Sequence, residues 1–278
     1  MRVSNPTRLD DCFDETATYL AGGTDLMVAI NFGRERPEHV LSLRRIAELK
    51  QLEANGRVRV GAGVSYTHLV RALGDGSPAM TQAARTVGSP QIRNAGTLGG
   101  NLGTCSPAGD TLPVLAALDA TVVVRGREGE RRLTLDRFML GPKRSALARG
   151  EVVYAVEWDE AGPSQAFLKA GTRNAMVIAV ASLAMVVDRA RKAVRLALGS
   201  VAPTIVRATA AEEFAHALLD EAGWERPLKL EEAAARRFGE LAAEAAAPID
   251  DVRGTAAYRK HAVAVMAKRA LQRAGAAT

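Results

Sequence analysis

One stretch of this chain, residues 94–110, combines the small and hydroxyl-bearing residues that bind phosphate groups. Its seventeen residues include five glycines, two threonines, one serine and two asparagines, and it ends at Asp110. Because glycine reaches positive φ and leaves the backbone open to a ligand, successive amides can converge on phosphate oxygens. The stretch therefore predicts a loop that binds a polyanion. The alternative is a glycine-rich surface turn.

A second stretch, residues 21–26, repeats this combination as Ala-Gly-Gly-Thr-Asp-Leu. It again places two small residues before a hydroxyl and an acid. Two such segments favour a bound ligand over two unrelated turns, because a diphosphate presents oxygens on opposite sides.

Together the two stretches resemble the paired pyrophosphate loops of the FAD-binding subunits of molybdenum hydroxylases. This family includes xanthine dehydrogenases and the medium subunit of aerobic carbon monoxide dehydrogenases. The resemblance covers nearly the whole chain. It extends to residues 88–94 (Gly-Ser-Pro-Gln-Ile-Arg-Asn), 167–169 (Phe-Leu-Lys), 197–204 (Ala-Leu-Gly-Ser-Val-Ala-Pro-Thr) and 258–261 (Tyr-Arg-Lys-His).

The resemblance implies that FAD is the cofactor and that both loops hold its pyrophosphate. We predict that the Thr24 and Thr97 hydroxyls and the Asn101 side chain bond to the phosphates. We also predict that backbone amides converge there, namely those of Gly22, Gly23, Thr24, Thr97, Gly99, Gly100 and Asn101. Family matching carries over as further contacts Leu20, Ala21, Asp25, Leu26, Ile92, Gly96, Leu98, Thr104, Asp110, Val152 or Val153, and Lys169.

Three of these residues are expected at the flavin end of the cofactor. Asp110 is expected on the ribityl and ring side, with Val152 or Val153 against the isoalloxazine. The alternative for Asp110 is an ordinary helix N-cap. Lys169 is predicted to be the catalytic residue, because a positive charge near the flavin would stabilise its reduced, anionic form. The alternative for Lys169 is a lysine whose ammonium extends to solvent.

Length and composition are consistent with two cytoplasmic domains. The chain has 278 residues, of which 47% are hydrophobic and 4% aromatic, so its cores should consist of small aliphatic residues. The net charge of +6 is spread over scattered, mixed-sign clusters, which favours a solvated surface over a nucleic-acid site. We expect no membrane insertion, because there is no apolar run of transmembrane length.

The fold class indicated is α+β. The resemblance implies an FAD-binding domain over residues 1–160, of the PCMH or vanillyl-alcohol-oxidase type, with two α/β subdomains at roughly 1–55 and 56–160. After the break at residues 161–163 (Ala-Gly-Pro), three strand-like segments and three helical patterns predict a C-terminal domain over residues 161–278. We expect a three-stranded antiparallel sheet, and a capping box formed by Thr209 and Glu212 at the first helix.

Two local motifs are interpreted as non-functional. Residues 61–66 (Gly-Ala-Gly-Val-Ser-Tyr) imitate a dinucleotide-binding turn, but Tyr66 replaces the small residue needed at the sixth position. The acidic run at Asp10, Asp11, Asp14 and Glu15 lacks residues to complete a metal site. We therefore expect no metal in this chain.

The predicted function is electron transfer in an oxidoreductase complex. The two cysteines, Cys12 and Cys105, cannot hold an iron–sulfur cluster. The resemblance accordingly assigns molybdopterin to a large partner subunit and [2Fe-2S] clusters to a small one, with FAD passing electrons to an external acceptor. The alternatives are a self-contained FAD-dependent oxidoreductase, with Cys105 attaching the flavin, or a non-catalytic flavin- or nucleotide-binding assembly subunit.

Overall fold

The strands and helices of the computed structural model, which describes residues 1–276, alternate along most of the chain. The strands are Arg2–Ser4 (β1), Thr18–Leu20 (β2), His39–Ser42 (β3), Leu52–Asn55 (β4), Arg57–Gly61 (β5), Thr121–Gly126 (β6), Gly129–Thr134 (β7), Met139–Gly141 (β8), Arg144–Ser145 (β9), Val152–Asp159 (β10), Gln165–Ala170 (β11), Ala181–Asp188 (β12), Ala193–Gly199 (β13) and Val206–Arg207 (β14). The α-helices are Leu26–Asn31 (α1), Tyr66–Leu73 (α2), Pro78–Thr86 (α3), Pro90–Ala95 (α4), Leu98–Thr104 (α5), Thr111–Ala117 (α6), Leu135–Phe138 (α7), Thr209–Ala222 (α8), Glu232–Glu244 (α9) and Ala256–Ala276 (α10).

The chain divides into two compact units that are not continuous in sequence. The first unit contains residues 1–72, 89–106 and 120–159, and the second contains residues 73–88, 107–119 and 160 onward. This division differs from a single boundary near residue 160, because α3 and α6 pack against strands of the second unit. Both glycine-bearing stretches lie in the first unit up to residue 106, whereas Asp110 and Lys169 lie in the second.

The first unit is built on two sheets. One is a parallel sheet of order β1-β3-β2, and the other is an antiparallel sheet of order β4-β5-β10-β6-β7. Strand β5, which leads into residues 61–66, pairs antiparallel on both sides, unlike the parallel strands of a dinucleotide-binding unit. The glycine at position 61 serves packing, since a Cβ there would lie 2.4 Å from the Leu49 carbonyl oxygen.

The second unit is a four-stranded antiparallel sheet of order β11-β12-β13-β14, with helices on both faces. Every residue of β12 is buried. Because side chains alternate along a strand, Leu183, Met185 and Val187 face a core that α8, α9 and α10 complete. Lys169 of β11 pairs with Ser182 of β12 on the opposite face. The prediction of a three-stranded sheet is corrected: three strands form as β11, β12 and β13, and the two-residue β14 makes the sheet four-stranded.

The capping box predicted at the start of α8 is wrong. The N-cap position is Ala208, and no side chain caps the helix there. The Glu212 carboxylate instead accepts hydrogen bonds from the Leu196 amide at 2.7 Å and from Arg207. Glu212 is 9% exposed. Its carboxylate binds residues outside the first turn of α8, so it does not form the capping box.

Two features are absent from residues 1–276. Over residues 1–276, no helix is both long enough and apolar enough to cross a membrane. The same part of the chain contains no group of three or more His, Cys, Asp or Glu side chains that could hold a metal ion.

Candidate cofactor site

The two glycine-bearing stretches pack against each other through their backbones. An ideal Cβ on Gly22 would lie 2.0 Å from the carbonyl oxygen of Ala95 and 2.8 Å from the Cα of Gly96. Only glycine can occupy position 22 at that separation. The sequence prediction that both stretches contribute to one site is therefore consistent with their contact in the first unit.

The first stretch exposes backbone donors. Gly23 adopts φ +75°, in the left-handed region that favours glycine. Within residues 1–276, the amides of Gly22, Gly23 and Thr24 donate to no oxygen of the chain. All three residues are partly exposed. Three consecutive unpaired N–H groups at a left-handed turn have the character of an anion-binding nest.

The second stretch is largely helical, whereas the sequence predicted a loop. Helix α5 begins after Thr97, whose side chain accepts a hydrogen bond from the Gly100 amide at 3.0 Å. The Gly99 amide donates to the Ala62 carbonyl at 2.9 Å, and the Asn101 amide donates to the Thr97 carbonyl at 3.0 Å. Each of these three amides therefore already has an acceptor within the chain, and their convergence on a pyrophosphate stays a prediction.

Thr97 keeps two groups with which it can bind phosphate. Its backbone amide donates to no oxygen of the described chain. Its hydroxyl accepts from Gly100, and a hydroxyl can accept one hydrogen bond while donating another. Thr97 is 8% exposed, so a donor here would act in a sheltered environment.

The glycines of α5 are required for different reasons. A Cβ on Gly99 would lie 2.3 Å from the Cβ of Ala62, so Gly99 allows close packing against the chain. A Cβ on Gly100 would meet the Thr97 hydroxyl at 3.0 Å and the Ala21 Cβ at 3.4 Å. A Cβ on Gly103 would meet nothing within 4 Å. Of these three, only Gly99 is fixed by a clash with packed atoms of the protein core.

Several predicted contacts are core residues. Leu98 has a fully buried side chain, and its amide donates to the Val64 carbonyl at 3.2 Å. Val152 and Val153 are 2% and 6% exposed because protein atoms cover them in the antiparallel sheet. That either valine contacts a flavin ring stays a prediction, which this burial does not favour. Leu20, Ala21, Leu26 and Thr104 are partly exposed, and Ile92 is 37% exposed.

Asp110 and Lys169, which are 59 residues apart, form a buried ion pair in the second unit. The Lys169 Nζ donates to Asp110 Oδ2 at 2.6 Å, and the side chains are 9% and 6% exposed. Lys169 Nζ also lies 3.4 Å from the Thr86 carbonyl oxygen. The alternative of a lysine extending to solvent is thus wrong.

The Asp110 carboxylate has one paired oxygen and one unpaired oxygen. Oδ2 accepts from Lys169 and from the Thr86 hydroxyl at 2.9 Å. Oδ1 is buried and has no partner among the described residues. Asp110 precedes α6 but makes no capping hydrogen bond, so the helix-cap alternative is wrong. Burial raises the pKa of the Asp110 carboxyl, and Lys169 and Thr86 oppose that rise.

Cys105 is poorly suited to attach a flavin. It is fully buried, and its thiol donates to the Arg144 carbonyl at 3.2 Å. Burial raises the pKa of the Cys105 thiol, so the thiolate needed for attack is disfavoured. This observation counts against the self-contained flavoenzyme that relies on Cys105.

Sequence reasoning missed two residues beside the predicted ones. Thr86 contacts both members of the buried pair, and nothing in its local sequence marks it. Lys143 places its Nζ 3.6 Å from Asp25 Oδ2, next to the unpaired amides. Its position after a glycine and a proline in residues 141–143 gave no signal of that proximity.

Comparisons with known proteins agree with the fold and with an FAD-binding domain. A family model described as the FAD binding domain in molybdopterin dehydrogenase matches residues 4–158. Another, described as the CO dehydrogenase flavoprotein C-terminal domain, matches residues 166–274.

Individual relatives span most of the chain. It is 30% identical over 289 residues to the nicotine 6-hydroxylase medium subunit of Paenarthrobacter nicotinovorans, covering 100% of this chain and 98% of that one. The nicotinate dehydrogenase FAD-subunit of Eubacterium barkeri is 36% identical over 175 residues, which is 60% of this chain and 59% of that protein. A solved chain of reconstituted CO dehydrogenase from Oligotropha carboxidovorans superposes with a TM-score of 0.88 at 26% identity, covering 100% of this chain and 98% of that one.

Proposed function

Because the chain belongs to the family of FAD-binding subunits of molybdenum hydroxylases, we propose that it carries electrons within such a complex. Its cofactor is FAD, and the chain is a subunit of an oxidoreductase. When bound, FAD would supply the redox chemistry. We propose that electrons would reach it from iron–sulfur clusters of a partner subunit and leave it to an external acceptor.

The observation that carries this proposal is the set of unpaired amides at Gly22, Gly23 and Thr24. Backbone N–H groups are strong hydrogen-bond donors, so three of them free in succession at a left-handed turn can bind a ligand that brings oxygens. A diphosphate brings several. The contact between Gly22 and Ala95 places this turn next to the segment that contains Thr97. Both segments can therefore bind the same pyrophosphate.

The chain's own residues would divide the work of binding. The amides of residues 22–24 donate to phosphate oxygens, while Thr97 donates from its hydroxyl and its amide. A Cβ on Gly100 would not clash with the protein core. We therefore propose that the glycine at this position leaves room for the cofactor. Lys143 supplies a positive charge beside Asp25. Asp110 lies in the second unit, where its buried Oδ1 has no partner among the described residues; its contact with FAD stays a prediction.

The metal centres of the complex are assigned to other chains. Four thiolates commonly hold a [2Fe-2S] cluster, and this chain has two cysteines, both of them buried. We therefore propose two partners: a small iron–sulfur subunit that delivers electrons and a large subunit that holds the molybdenum cofactor and selects the substrate.

The test is purification of the chain from its native cells, followed by identification of bound flavin, metals and copurifying subunits. We expect stoichiometric FAD in this chain, with molybdenum and iron in the copurified subunits. Substrate should reduce the flavin in the intact complex and fail to reduce it in the isolated chain. Turnover of an organic substrate by the isolated chain, without partners, would contradict the proposal.

A further inference from the structure

The turn between β4 and β5 contains the one Asn-Gly dipeptide of the chain, Asn55-Gly56. In any protein, the backbone nitrogen that follows an asparagine can attack the side-chain amide carbon and close a five-membered imide ring. Glycine has no Cβ to obstruct that attack. Among the asparagines of this chain, the local sequence therefore favours ring closure most strongly at Asn55.

The structure leaves both reacting groups unprotected. Asn55 and Gly56 are exposed. Within residues 1–276, the Asn55 side chain makes no hydrogen bond, and the Gly56 amide donates to no oxygen of the chain. A Cβ at Gly56 would meet nothing within 4 Å, so there is room for the imide ring and for a water molecule that attacks it.

Each of the other five asparagines lacks one of these conditions. Asn5 precedes Pro6, which has no N–H to lose. In α1, α4 and α5 the next backbone amide belongs to the helical hydrogen-bond pattern, and these helices contain Asn31, Asn94 and Asn101. Asn174 is exposed and lies outside the helices and strands, but Ala175 follows it and carries a Cβ. Asn174 is therefore an internal control for the glycine.

We propose that Asn55 is a site of spontaneous covalent modification, with water as the co-reactant. The Gly56 nitrogen forms a bond to the Asn55 side-chain carbon Cγ. The bond from Cγ to Nδ2 breaks, and Nδ2 leaves as ammonia with the proton of the Gly56 amide. Water then opens the imide at either carbonyl, which gives aspartate, or isoaspartate with the main chain running through Cγ. Nothing is oxidised or reduced, and the reaction does not depend on the proposed function.

The modification would change the charge pattern at this end of the sheet. Position 55 lies directly opposite Arg57 in the pairing of β4 with β5, and Arg57 donates to the buried Glu157 carboxylate at 2.8 Å. Both products carry a carboxylate in place of a neutral amide. Because opposite charges on paired strand positions attract, the new carboxylate would compete for Arg57. Glu157 would keep its bonds to Arg59 and Arg132.

Isoaspartate would have a further effect on the strands. It adds one carbon to the main chain, and β4 is an edge strand held by β5 alone. The pairing at Asn55 and Arg57 should therefore open in the isoaspartyl form. The variant Asn55→Asp gives the charge without the added carbon. It should keep the β4–β5 amides more protected from hydrogen exchange than they are in the isoaspartyl chain.

The test is incubation of the folded full chain at mildly alkaline pH, followed by peptide mapping and by methyl labelling with an isoaspartate-specific methyltransferase. We expect the Asn55 peptide to gain the mass of a hydroxyl in place of an amino group and to accept the methyl label. This change should be at least about tenfold faster at Asn55 than at Asn174, because glycine leaves the attack unobstructed. Its rate should rise with pH, since the attacking nitrogen must lose its proton.

Three variants separate the dipeptide from its surroundings. Gly56→Ala should slow the reaction. Asn55→Gln should abolish it, because glutamine would have to close a larger ring. Ala175→Gly should accelerate it at Asn174. A rate at Asn55 no faster than at Asn174, or unchanged in Gly56→Ala, would overturn the proposal. An Asn55 that stays intact in the folded chain but reacts once urea unfolds it would also overturn the proposal, because the fold would then protect the site.

Discussion

A Cβ atom on Gly22 would lie 2.0 Å from the carbonyl oxygen of Ala95, so these two residues hold the glycine-bearing segments together without any side chain between them. We expect Gly22→Ala to force the backbones apart and to cost about 1–3 kcal/mol of stability, as overpacking typically does. The variant should also lose FAD, since the unpaired amides of the turn would move. Thermal unfolding of the apo and FAD-loaded chain measures both effects.

Gly103→Ala is the matched control for that substitution. A Cβ at Gly103 meets nothing within 4 Å, and the residue lies inside α5. Alanine is favoured over glycine in a helix by about 1 kcal/mol, so this variant should be as stable as the native chain or slightly more so. A loss of stability in Gly103→Ala equal to that in Gly22→Ala would mean that the loss does not come from the contact with Ala95.

Substitutions of Gly99 and Gly100 distinguish a glycine needed for packing from a glycine needed for cofactor binding. Gly99→Val should destabilise the apo chain, because the Cβ of Ala62 occupies the space that a side chain needs. Gly100→Val should leave apo stability within about 1 kcal/mol and weaken FAD binding by at least about tenfold, or ~1.4 kcal/mol. Isothermal titration of refolded apo protein gives the affinity. Full flavin occupancy in a stable Gly100→Val chain would remove Gly100 from the site.

The sequence predicted those parts of the fold that local patterns determine. Val194, Leu196 and Leu198 alternate, and β13 forms with these residues buried. Pro113 lies in the first turn of α6, where the sequence places a residue that needs no backbone N–H. In contrast, the glycine-rich sequence of residues 98–104 predicted a loop, and these residues form the helix α5. Gly99 is needed there because the chain packs closely against Ala62, which is distant in the sequence. A glycine that is required by this tertiary contact was therefore interpreted as a sign of a loop.

The pairing of two predicted site residues could not be read from the sequence. The sequence pointed to Asp110 and Lys169 separately, each with a local alternative, and the structure shows that they bind each other. Their separation of 59 residues hides the pair from any periodicity argument. Thr86 was missed for the same reason, because its contacts depend on how α3 packs on β11.

Lys143 provides an electrostatic test of the proposed phosphate site. Its ammonium lies 3.6 Å from the Asp25 carboxylate, and both side chains are more than half exposed. We expect Lys143→Gln to raise the Kd for FAD about three- to tenfold at low salt, because it removes a cation and leaves Asp25 uncompensated near the phosphates. The difference should shrink at high salt, where exposed charges are screened.

Two further variants check the Lys143 interpretation. Lys192→Gln makes the same change in the exposed turn between β12 and β13 and should leave the Kd unchanged. Asp25→Asn removes the nearby negative charge and should keep or improve FAD affinity. A response to salt that is identical in the native chain and Lys143→Gln would contradict a phosphate-directed role.

The Arg131–Glu151 pair predicts a pH dependence of stability in the first unit. Arg131 donates to both oxygens of Glu151, at 2.7 and 2.5 Å, and these bonds lower the pKa of Glu151 below its ordinary value of 4.5. A carboxyl whose pKa is depressed by folding stabilises the folded state above its unfolded pKa, and this contribution is lost as the pH falls through the folded pKa.

We therefore expect Glu151→Gln to lower the free energy of unfolding by about 1 kcal/mol at neutral pH, the upper end for a partly exposed pair. The difference from the native chain should disappear as the pH drops below about 4.5. Denaturant unfolding across this range measures it. Glu128→Gln, in the exposed turn between β6 and β7, is the control and should show no such trend. A constant difference at all pH values would indicate lost packing.

The buried thiol of Cys105 predicts that FAD is held without a covalent bond. The thiol is fully buried and donates to the Arg144 carbonyl oxygen, and burial raises its pKa, so it stays protonated and unreactive at neutral pH. Acid precipitation should release all the flavin into the supernatant, and Cys105→Ala should retain FAD. Iodoacetamide should label Cys105 only after unfolding, as it should Cys12, whose pKa burial raises to about 11. Flavin that stays on the precipitated native chain, and is released from Cys105→Ala, would instead show attachment through this residue.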